Sequence, residues 1–390
     1  MDMAATIPSN VRLNALKWET TSQQNYGGEI YFFEDRLNFD FNYYHKRTYD
    51  LMWSNLPLPS TSGFGSLSSG NVGTMDNDGY EINLFTNNLI KVGGLGIDLN
   101  FNISNSFNTI IDLDDAILAE KNAEYNYTNG SYLTHFEEGH SYGSIYGFKY
   151  KGVYKYDEYI PGLQDDAPVA KDAQGRVLVD EYNKPLPMTF AYGTTSQYTF
   201  RGGDAIYEDI NHDGSIDELD IVYLGNSNPL FNGGFGTTMR YKNFTCVMFF
   251  NFRLGNKVIN AARMNAENMY GYDNQSVAVN WRWRKDGDET DIPRALYRYG
   301  YNWLGSDRFV EDGSFLRFKY LQLNYNVPSA KLKRYNLNRM SVYLNFNNLA
   351  VFTKYTGVDP EVGYGGMGIS TDNNKTPRPK DVTLNLTLGF

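Results

Sequence analysis

Hydrophobic and polar residues alternate along much of this chain, in segments of about ten residues. The alternation is clearest at 37–44, 95–104, 342–346 and 382–390. A period of two places the apolar side chains on one face of a β-strand and the polar ones on the other. About ten residues is also the length of a tilted strand that crosses a membrane. The pattern predicts an all-β, antiparallel fold of about nine or ten strands, although soluble β-sandwiches alternate in the same way.

The connections between these segments are alternately short and long. Short turns are predicted at Asp35-Arg36, Lys91–Gly94, Lys242-Asn243 and, somewhat longer, Ser329–Asn338. Long polar loops are predicted at about 50–78, 108–228, 257–313 and 350–380. Outer-membrane barrels have short periplasmic turns and long extracellular loops, whereas sandwiches seldom carry loops of this length. The connections therefore favour a transmembrane antiparallel β-barrel with long extracellular loops.

The longest loop, 108–228, is rich in Tyr, Asp and Gly and is expected to be a large extracellular insertion. We expect a small hairpin within it at Tyr146–Tyr156, and the only moderate helix candidate of the chain lies at Lys257–Met269. Aromatic rings can stack on a ligand, which makes the tyrosines of the most aromatic polar stretch candidate substrate contacts. Packing within a strand or against a lid is the alternative for these residues, which are Tyr150, Tyr154, Tyr156 and Tyr159.

An Asp-rich segment at 209–220 has the spacing of an EF-hand-type calcium loop. Oxygen-bearing residues occupy positions 1, 3, 5, 9 and 12, and Gly214 stands at position 6, where such loops turn sharply. Ser215 would bind through its backbone carbonyl, and Asp220 replaces the usual bidentate Glu. The sequence predicts a structural Ca²⁺ without the helix pair of a sensor, and an empty Asp/Asn-rich turn is the alternative. The predicted ligands are Asp209, Asn211, Asp213, Ser215, Asp217 and Asp220.

Composition removes several other classes of protein. No run approaches the 20 or so apolar residues of a membrane helix, and a net charge of −10 argues against nucleic acid as a partner. Cys246 is the only cysteine, so the chain contains no internal disulfide. His135 and His140 lack a third zinc ligand nearby, and the chain has no Gly-x-Ser-x-Gly elbow in a strand-turn-helix context and no phosphate loop. We therefore expect a protein that is not an enzyme.

Several short motifs together resemble the SusC/RagA-like family of TonB-dependent outer-membrane transporters of Bacteroidetes. Each motif is weak alone, but their shared order over most of the chain is specific. They are Leu16–Glu19, Gly203–Asp220, Leu224–Asn226, Asn228-Pro229, Thr290–Arg294, Ser306–Arg317, Asn347–Leu349, Phe352–Tyr355, Asp359–Glu361 and Pro377–Pro379.

The resemblance implies a barrel of 22 strands, a size at which outer-membrane transporters have a plugged lumen. It also implies energy supplied through TonB, a SusD-like surface lipoprotein as partner, and import of glycans or oligopeptides across the outer membrane, whose lipid the barrel would contact. Residues 1–390 would form the C-terminal part of that barrel. Met1–Thr6 do not resemble a signal peptide, so we expect the signal peptide, the TonB box, the plug and about half of the strands to lie upstream.

The last strand has an apolar residue at every second position from Val382 and ends on Phe390. By the same resemblance, Phe390 is the signal by which such barrels are assembled, and its strand would pair with a first strand that this sequence lacks. Two other hypotheses remain open from the residues. The chain could be a secreted, calcium-binding, β-rich adhesion or glycan-binding protein, or a fragment with no function of its own.

Overall fold

The computed structural model describes residues 16–58, 60–88, 90–115, 117–118, 132, 135–192, 196–363 and 368–390. Met1–Thr6, the basis of the signal-peptide expectation, lie outside these ranges. The strands, in chain order, are β1 (Thr20–Phe32), β2 (Leu37–Tyr49), β3 (Met52–Pro57), β4 (Ser66–Asn71), β5 (Gly73–Thr86), β6 (Ile90–Val92), β7 (Leu95–Leu113), β8 (Ser144–Gly147), β9 (Tyr150–Val153), β10 (Thr189–Tyr192), β11 (Ser196–Thr199), β12 (Ala205–Tyr207), β13 (Ser215–Ile216), β14 (Val222–Asn226), β15 (Phe231–Tyr241), β16 (Phe244–Leu254), β17 (Lys257–Ile259), β18 (Val310–Asp312), β19 (Phe315–Asn326), β20 (Arg339–Thr353) and β21 (Asp381–Gly389).

Two short α-helices are described, α1 (Ala261–Glu267) and α2 (Ser329–Leu332). Short 3-10 helices lie at Ser60–Ser62, Glu218–Asp220, Val277–Trp281, Asp307–Phe309 and Lys333–Tyr335. None of the described helices is long and apolar enough to cross a membrane.

One large sheet dominates the fold. Nine strands follow one another in the order β1-β2-β5-β7-β15-β16-β19-β20-β21, and β6 pairs with β7 beside this path. Every pairing in this sheet is antiparallel. In the described part of the chain, β1 and β21 each pair with a single neighbour. The number of strands in this sheet matches the predicted nine or ten. We call this sheet the wall.

The pairing register aligns the apolar positions of successive strands on one face of the wall. Leu384 of β21 lies opposite Leu344 of β20, which lies opposite Leu323 of β19. Phe250 stacks between Phe235 and Phe318, with ring centroids 5.1 and 4.4 Å away. Many of these side chains are exposed, including Val382, Leu384, Leu386 and Leu388 of the last strand. Large apolar side chains on an open sheet face are the arrangement of a barrel that meets lipid.

The opposite face of the wall is polar. Asn345 of β20 lies between Thr383 and Gln322 of its neighbouring strands. Farther along the wall, Asp98 of β7 forms an ion pair with Arg240 of β15. A side-chain period of two gives each strand one polar and one apolar face, and the register joins the polar faces into one continuous surface.

The predicted alternation of short and long connections is present. Strands β1 and β2 are joined by residues 33–36, and β15 and β16 by Lys242-Asn243, where Lys242 takes a φ of 51°. The long connections all leave the opposite end of the wall, at 50–72, 114–230, 255–314 and 354–380. Three predicted loop limits were wrong, because β5 already begins at Gly73, β7 runs on to Leu113 and β20 runs on to Thr353. The ladder between β5 and β7, for example, covers residues that were expected to lie in loops.

Two smaller predictions within the loops need correction. The expected hairpin at Tyr146–Tyr156 does not form, because β8 pairs with β14 and β9 pairs with β12. These pairings join the beginning of the 114–230 loop to its end. The expected helix at Lys257–Met269 forms only over Ala261–Glu267, and its first residues form β17, which pairs with β18.

Candidate functional site

The three longest loops fold together into a compact unit, which we call the cap: the described residues of 114–230, 255–314 and 354–380. One buried cluster joins the 114–230 loop to Leu304 of the next loop. A second joins Ile145 of the first loop to residues of the 255–314 loop such as Trp303 and Phe309. Buried apolar area is the main stabilising contribution in a folded unit, so the cap has a core of its own. The first cluster comprises Phe148, Tyr154, Met188, Phe190, Tyr198, Phe200, Ala205, Tyr207, Ile216 and Leu304.

A buried ion pair between Asp204 and Arg294 lies at the edge of this core. The Asp204 carboxylate is fully buried and accepts bonds from Arg294 Nε at 2.7 Å and Nη2 at 3.0 Å. The Tyr198 hydroxyl donates to it at 2.7 Å. Burial, and after it the charge of Asp204, raise the pKa of the Tyr198 phenol. Bidentate guanidinium–carboxylate pairs fix geometry as well as charge, so this pair fixes the position of one loop on the other.

The preceding glycine explains the Gly203-Asp204 motif. Gly203 has a φ of 84°, and a Cβ atom there would stand 2.2 Å from the Trp283 ring. A residue with a side chain would therefore meet both a strained backbone and a steric clash. Trp283 in turn donates its ring N–H to the carbonyl of Lys155 at 3.1 Å. The motif is thus a contact point between two loops.

A second network holds α1 against the end of the 255–314 loop. Glu267 accepts bonds from Arg263 Nε at 2.9 Å and from Arg308 Nη2 at 2.8 Å. Arg263 also reaches Glu311, whose carboxylate accepts a bond from the Thr356 hydroxyl at 2.7 Å. Burial acts to raise the pKa of the Glu311 carboxyl, but its hydrogen bonds, first those from Thr356, outweigh burial and lower the pKa. The network links two of the three loops of the cap.

A third network fixes the last loop to the wall. Arg317 lies at the loop end of β19, on its polar face, and its side chain is only 4% exposed. It pairs with Asp359 at 2.5 Å and with Glu361 at 3.2 Å. Glu361 also pairs with Arg378 at 2.6 Å. The motif residues Asp359–Glu361 therefore bind the wall directly.

The structure separates the four predicted substrate tyrosines. Tyr154 is 6% exposed in the first cluster, where its ring is unavailable to a ligand. Tyr150 donates its hydroxyl to the Asp291 carbonyl at 2.7 Å and lies beneath the Arg308 guanidinium. Burial raises the pKa of the Tyr150 phenol to about 12. Tyr156 and Tyr159 are half-buried and stay candidate ligand contacts. The number of tyrosines in this stretch does not reveal which of them enters the core.

The Asp-rich segment forms a tight loop held by its own backbone. Asp209 accepts a bond from the Gly214 N–H at 2.9 Å, and Asp213 accepts one from the Ser215 N–H at 2.8 Å. Asp220 is fully buried and accepts bonds from the N–H groups of Ile210 and Asp217. Despite these bonds, burial raises the pKa of the Asp220 carboxyl to about 6. Burial is also the largest cause that raises the pKa of Asp217.

The donor set of this loop is hard oxygen, which suits Ca²⁺. Both oxygens of Asp220 accept hydrogen bonds from backbone N–H groups, and so do both oxygens of Asp209. Among the described residues, no group of three or more His, Cys, Asp or Glu side chains is arranged to hold a metal ion. The buried Ser215 hydroxyl has no hydrogen-bond partner. Calcium binding at the six predicted ligands Asp209, Asn211, Asp213, Ser215, Asp217 and Asp220 stays a prediction.

The polar face of the wall carries an open cavity of about 300 Å³. The cavity is lined by neutral amide and hydroxyl side chains, which can both donate and accept hydrogen bonds. The residues that line it are Tyr320, Gln322, Asn345, Asn347 and Thr383. The alternation of the sequence places these residues on polar strand faces, but only the folded sheet shows that three strands bring them together.

A group of exposed aromatic residues in the 255–314 loop was not singled out from the sequence. Tyr272 and Tyr297 lie with ring centroids 4.9 Å apart, and both are exposed. The alternation of Tyr297, Tyr299 and Tyr301 could have drawn attention to this segment. Tyr272 is 25 residues away in sequence, and only the folded loop places it beside Tyr297.

Three known proteins with sequences similar to this chain are TonB-dependent receptors. The chain is 30% identical over 392 residues to the TonB-dependent receptor P39 of Formosa agariphila. It is 28% identical over 385 residues to the TonB-dependent receptor P3 of the same organism. It is 24% identical to the TonB-dependent receptor SusC of Bacteroides thetaiotaomicron. Each match covers 96% of this chain. The chain spans about a third of the length of these relatives, 36% of P39 and 34% of P3. No protein-family model matches it.

Among solved structures, the chain is similar to one in the structure of the RagAB peptide transporter, with a TM-score of 0.68 and 24% identity. The match covers 96% of this chain and 36% of the other. A second RagAB structure, described as the closed-closed state of a peptide importer, gives a TM-score of 0.67. At this identity the likeness establishes the fold, and that fold is the C-terminal portion of a TonB-dependent barrel.

Proposed function

Because the homologues of this chain are TonB-dependent receptors of the outer membrane, SusC among them, we propose that the chain forms the C-terminal part of a nutrient importer. The wall would be part of the barrel, with its apolar face toward lipid and its polar face toward the lumen. The cap would stand outside the cell. The relatives are receptors and transporters, in keeping with a protein that is not an enzyme.

The observation that carries the proposal is the continuous division of the wall into two faces. Nine strands pair one after another from Ile30 of β1 to Leu384 of β21. A soluble sandwich would bury the apolar face against a second sheet, but here large apolar side chains are exposed at both ends of the wall. Backbone groups in a bilayer must all be paired. The outer edges of β1 and β21 would therefore pair with further strands of the complete barrel.

We propose import of glycans or oligopeptides, energised through TonB and assisted by a SusD-like lipoprotein that closes over the cap. The support is the likeness to SusC and to the RagAB peptide transporter. The folded cap, with its ion pairs between loops, would give such a partner a rigid surface on which to dock.

Cell fractionation tests the location. The protein should sediment with the outer membrane and migrate differently in gels with and without boiling. Protease added to intact cells should cut the cap at exposed turns such as those around Leu163 and Tyr182. Release of the protein into the medium in soluble form would instead favour the secreted adhesion or glycan-binding hypothesis.

Uptake tests the function. Cells that lack the gene should fail to accumulate either fluorescent oligosaccharides or fluorescent oligopeptides, and a protonophore should abolish the same uptake in the parent strain. Re-expression should restore it. Equal uptake of both cargo classes in deleted and parent cells would refute the importer.

A further inference from the structure

We propose that the cap carries a binding site for acidic polysaccharide, formed by Tyr272, Tyr297, Arg298 and Tyr299, which we call the Tyr272 patch. The inference rests on the proposed function and names a cargo class and the residues that contact it. Tyr272 is 88% exposed and Tyr299 is 62% exposed. Exposed aromatic groups of this kind mark interaction sites, including ligand-binding grooves.

The two rings of the patch form a defined surface. The rings of Tyr272 and Tyr297 are tilted by 40° and have centroids 4.9 Å apart. Aromatic faces accept the apolar C–H face of a sugar ring, and phenolic hydroxyls bond to sugar hydroxyls at the ring edge. The pair therefore has both kinds of contact that a pyranose needs.

Arg298 supplies the preference for acidic sugars. Its guanidinium lies over the Tyr297 ring, 5.4 Å from the centroid. Three other arginines of the loop are paired with a carboxylate, Arg263, Arg294 and Arg308. Two more, Arg282 and Arg284, donate to backbone carbonyls. Within the described ranges, no carboxylate lies within ion-pair distance of Arg298. In a chain of net charge −10, an unpaired guanidinium on an aromatic surface favours an anionic ligand, to whose carboxylate or sulfate it can bind with two hydrogen bonds.

The backbone beneath the patch is strained and firmly supported. Arg298 and Met269 both take left-handed conformations, with φ of 51° and 49°. The Arg298 N–H donates to the Tyr270 carbonyl at 3.1 Å. Tyr270 packs edge-on against the buried Trp303, and Tyr299 packs edge-on against the buried Tyr198. Non-glycine residues held in this region cluster at ligand sites, and the two buried anchors keep the exposed rings in place without a ligand.

Affinity electrophoresis tests the site with the complete detergent-solubilised receptor that contains this chain. The gels contain polygalacturonate, a sulfated carrageenan, neutral dextran or poly-glutamate. We expect at least one acidic polysaccharide to retard the protein. Added NaCl at roughly 0.5 M should weaken the retardation, because salt screens exposed charges. Comparison of the polygalacturonate and carrageenan gels distinguishes binding to carboxylate from binding to sulfate. Retardation by dextran alone, or by poly-glutamate but neither acidic glycan, would overturn the proposal.

Variants assign the binding to the patch. Tyr272→Ala combined with Tyr297→Ala should weaken the affinity at least tenfold. Arg298→Asn, chosen because Asn tolerates the left-handed backbone, should weaken binding of the acidic glycan several-fold. Tyr182→Ala removes an equally exposed tyrosine from another loop and should have no effect. Unchanged affinity in the double and Arg298 variants would refute the site.

Two results distinguish a wrong assignment of the Tyr272 patch from a wrong assignment of the chain to an importer. If uptake is lost in deleted cells while patch variants bind and import as the wild type does, only the Tyr272 patch is refuted. If patch variants lose binding while deleted cells import normally, the site stands and the importer is refuted.

Discussion

The wall and the cap of this protein keep their shape by different means. The wall has few buried side chains, and its strands are held by antiparallel backbone ladders with both faces open. In the cap, loops without long strands enclose apolar clusters and buried ion pairs. Sheet faces in a membrane are stabilised by lipid, whereas loops in water need a core of their own. Mutations should therefore affect the two regions in different ways.

The largest effect is expected at the buried ion pair of the cap. Asp204→Asn would leave Arg294 without its counter-charge, and breaking a buried pair costs roughly 3–5 kcal/mol. Limited proteolysis of the membrane-bound protein should show faster cleavage of the cap while the heat-dependent gel shift of the barrel persists. Glu289→Gln, at an exposed carboxylate paired with Lys155, is the control and should change little. Equal cleavage rates for the two variants would contradict the claim that the buried ion pair holds the cap together.

The next effect belongs to the wall. Leu384→Arg places a charge on the apolar face of β21, and a cation at the bilayer midplane costs about 2–4 kcal/mol in barrel proteins. Asn385→Arg, one residue along on the polar face, is the matched control and should be far milder. Folding yields in lipid vesicles, followed by heat-dependent migration, measure the difference. If both variants fold equally well, the assignment of the two faces is wrong.

Calcium would act on the cap alone. If the predicted ligands of the 209–220 loop bind Ca²⁺, an excess of about 100 times the Kd should stabilise the loop by about 2.7 kcal/mol. Cleavage of the loop by protease should slow in Ca²⁺ and quicken in chelator. The double variant Asp209→Ala, Asp213→Ala should be cut at one rate under both conditions. A wild-type protein that is indifferent to chelator would remove calcium from this loop.

The smallest effect is the pH dependence of the same loop in chelator. The pKa of Asp220 is about 6 in the folded state and about 4 in an unfolded chain. The stability linked to this raised pKa is fully present below about pH 4 and is lost as the pH rises through about 6. Protease resistance should fall over that window. Asp220→Asn should flatten the profile, and a wild-type profile that rises instead would show the opposite linkage.

The wall could be predicted from the sequence with little loss. A period of two, repeated with short and long connections, indicated the strand number, the two faces and the turn positions, and the relatives confirm the predicted family resemblance, fold class and outer-membrane location. Strand ends were less well predicted. Gly73–Asp78 alternates poorly, yet its backbone pairs with β7, and from Met75 onward also with β2. Pairing between distant segments leaves little trace in local periodicity.

The cap could not be predicted in the same way. Tyr154 and Tyr156 are two residues apart in a stretch of similar composition, but only Tyr154 enters the core. The Gly203-Asp204 motif was visible, while its purpose depends on Arg294 and Trp283, far along the chain. The predicted calcium ligands and the role of Phe390 in assembly stay predictions. Phe390 is 86% exposed at the end of the last strand.

The sequence by itself determined which residues of the wall face the same way, because the direction of a side chain in a strand depends only on its position along that strand. Tertiary structure decided how the loops meet. Side chains as distant as Asp204 and Arg294, or Tyr272 and Tyr297, come together only when distant segments of the chain fold around a shared core. No local pattern encodes such a contact, since its stability comes from burial shared among segments that are far apart in the chain.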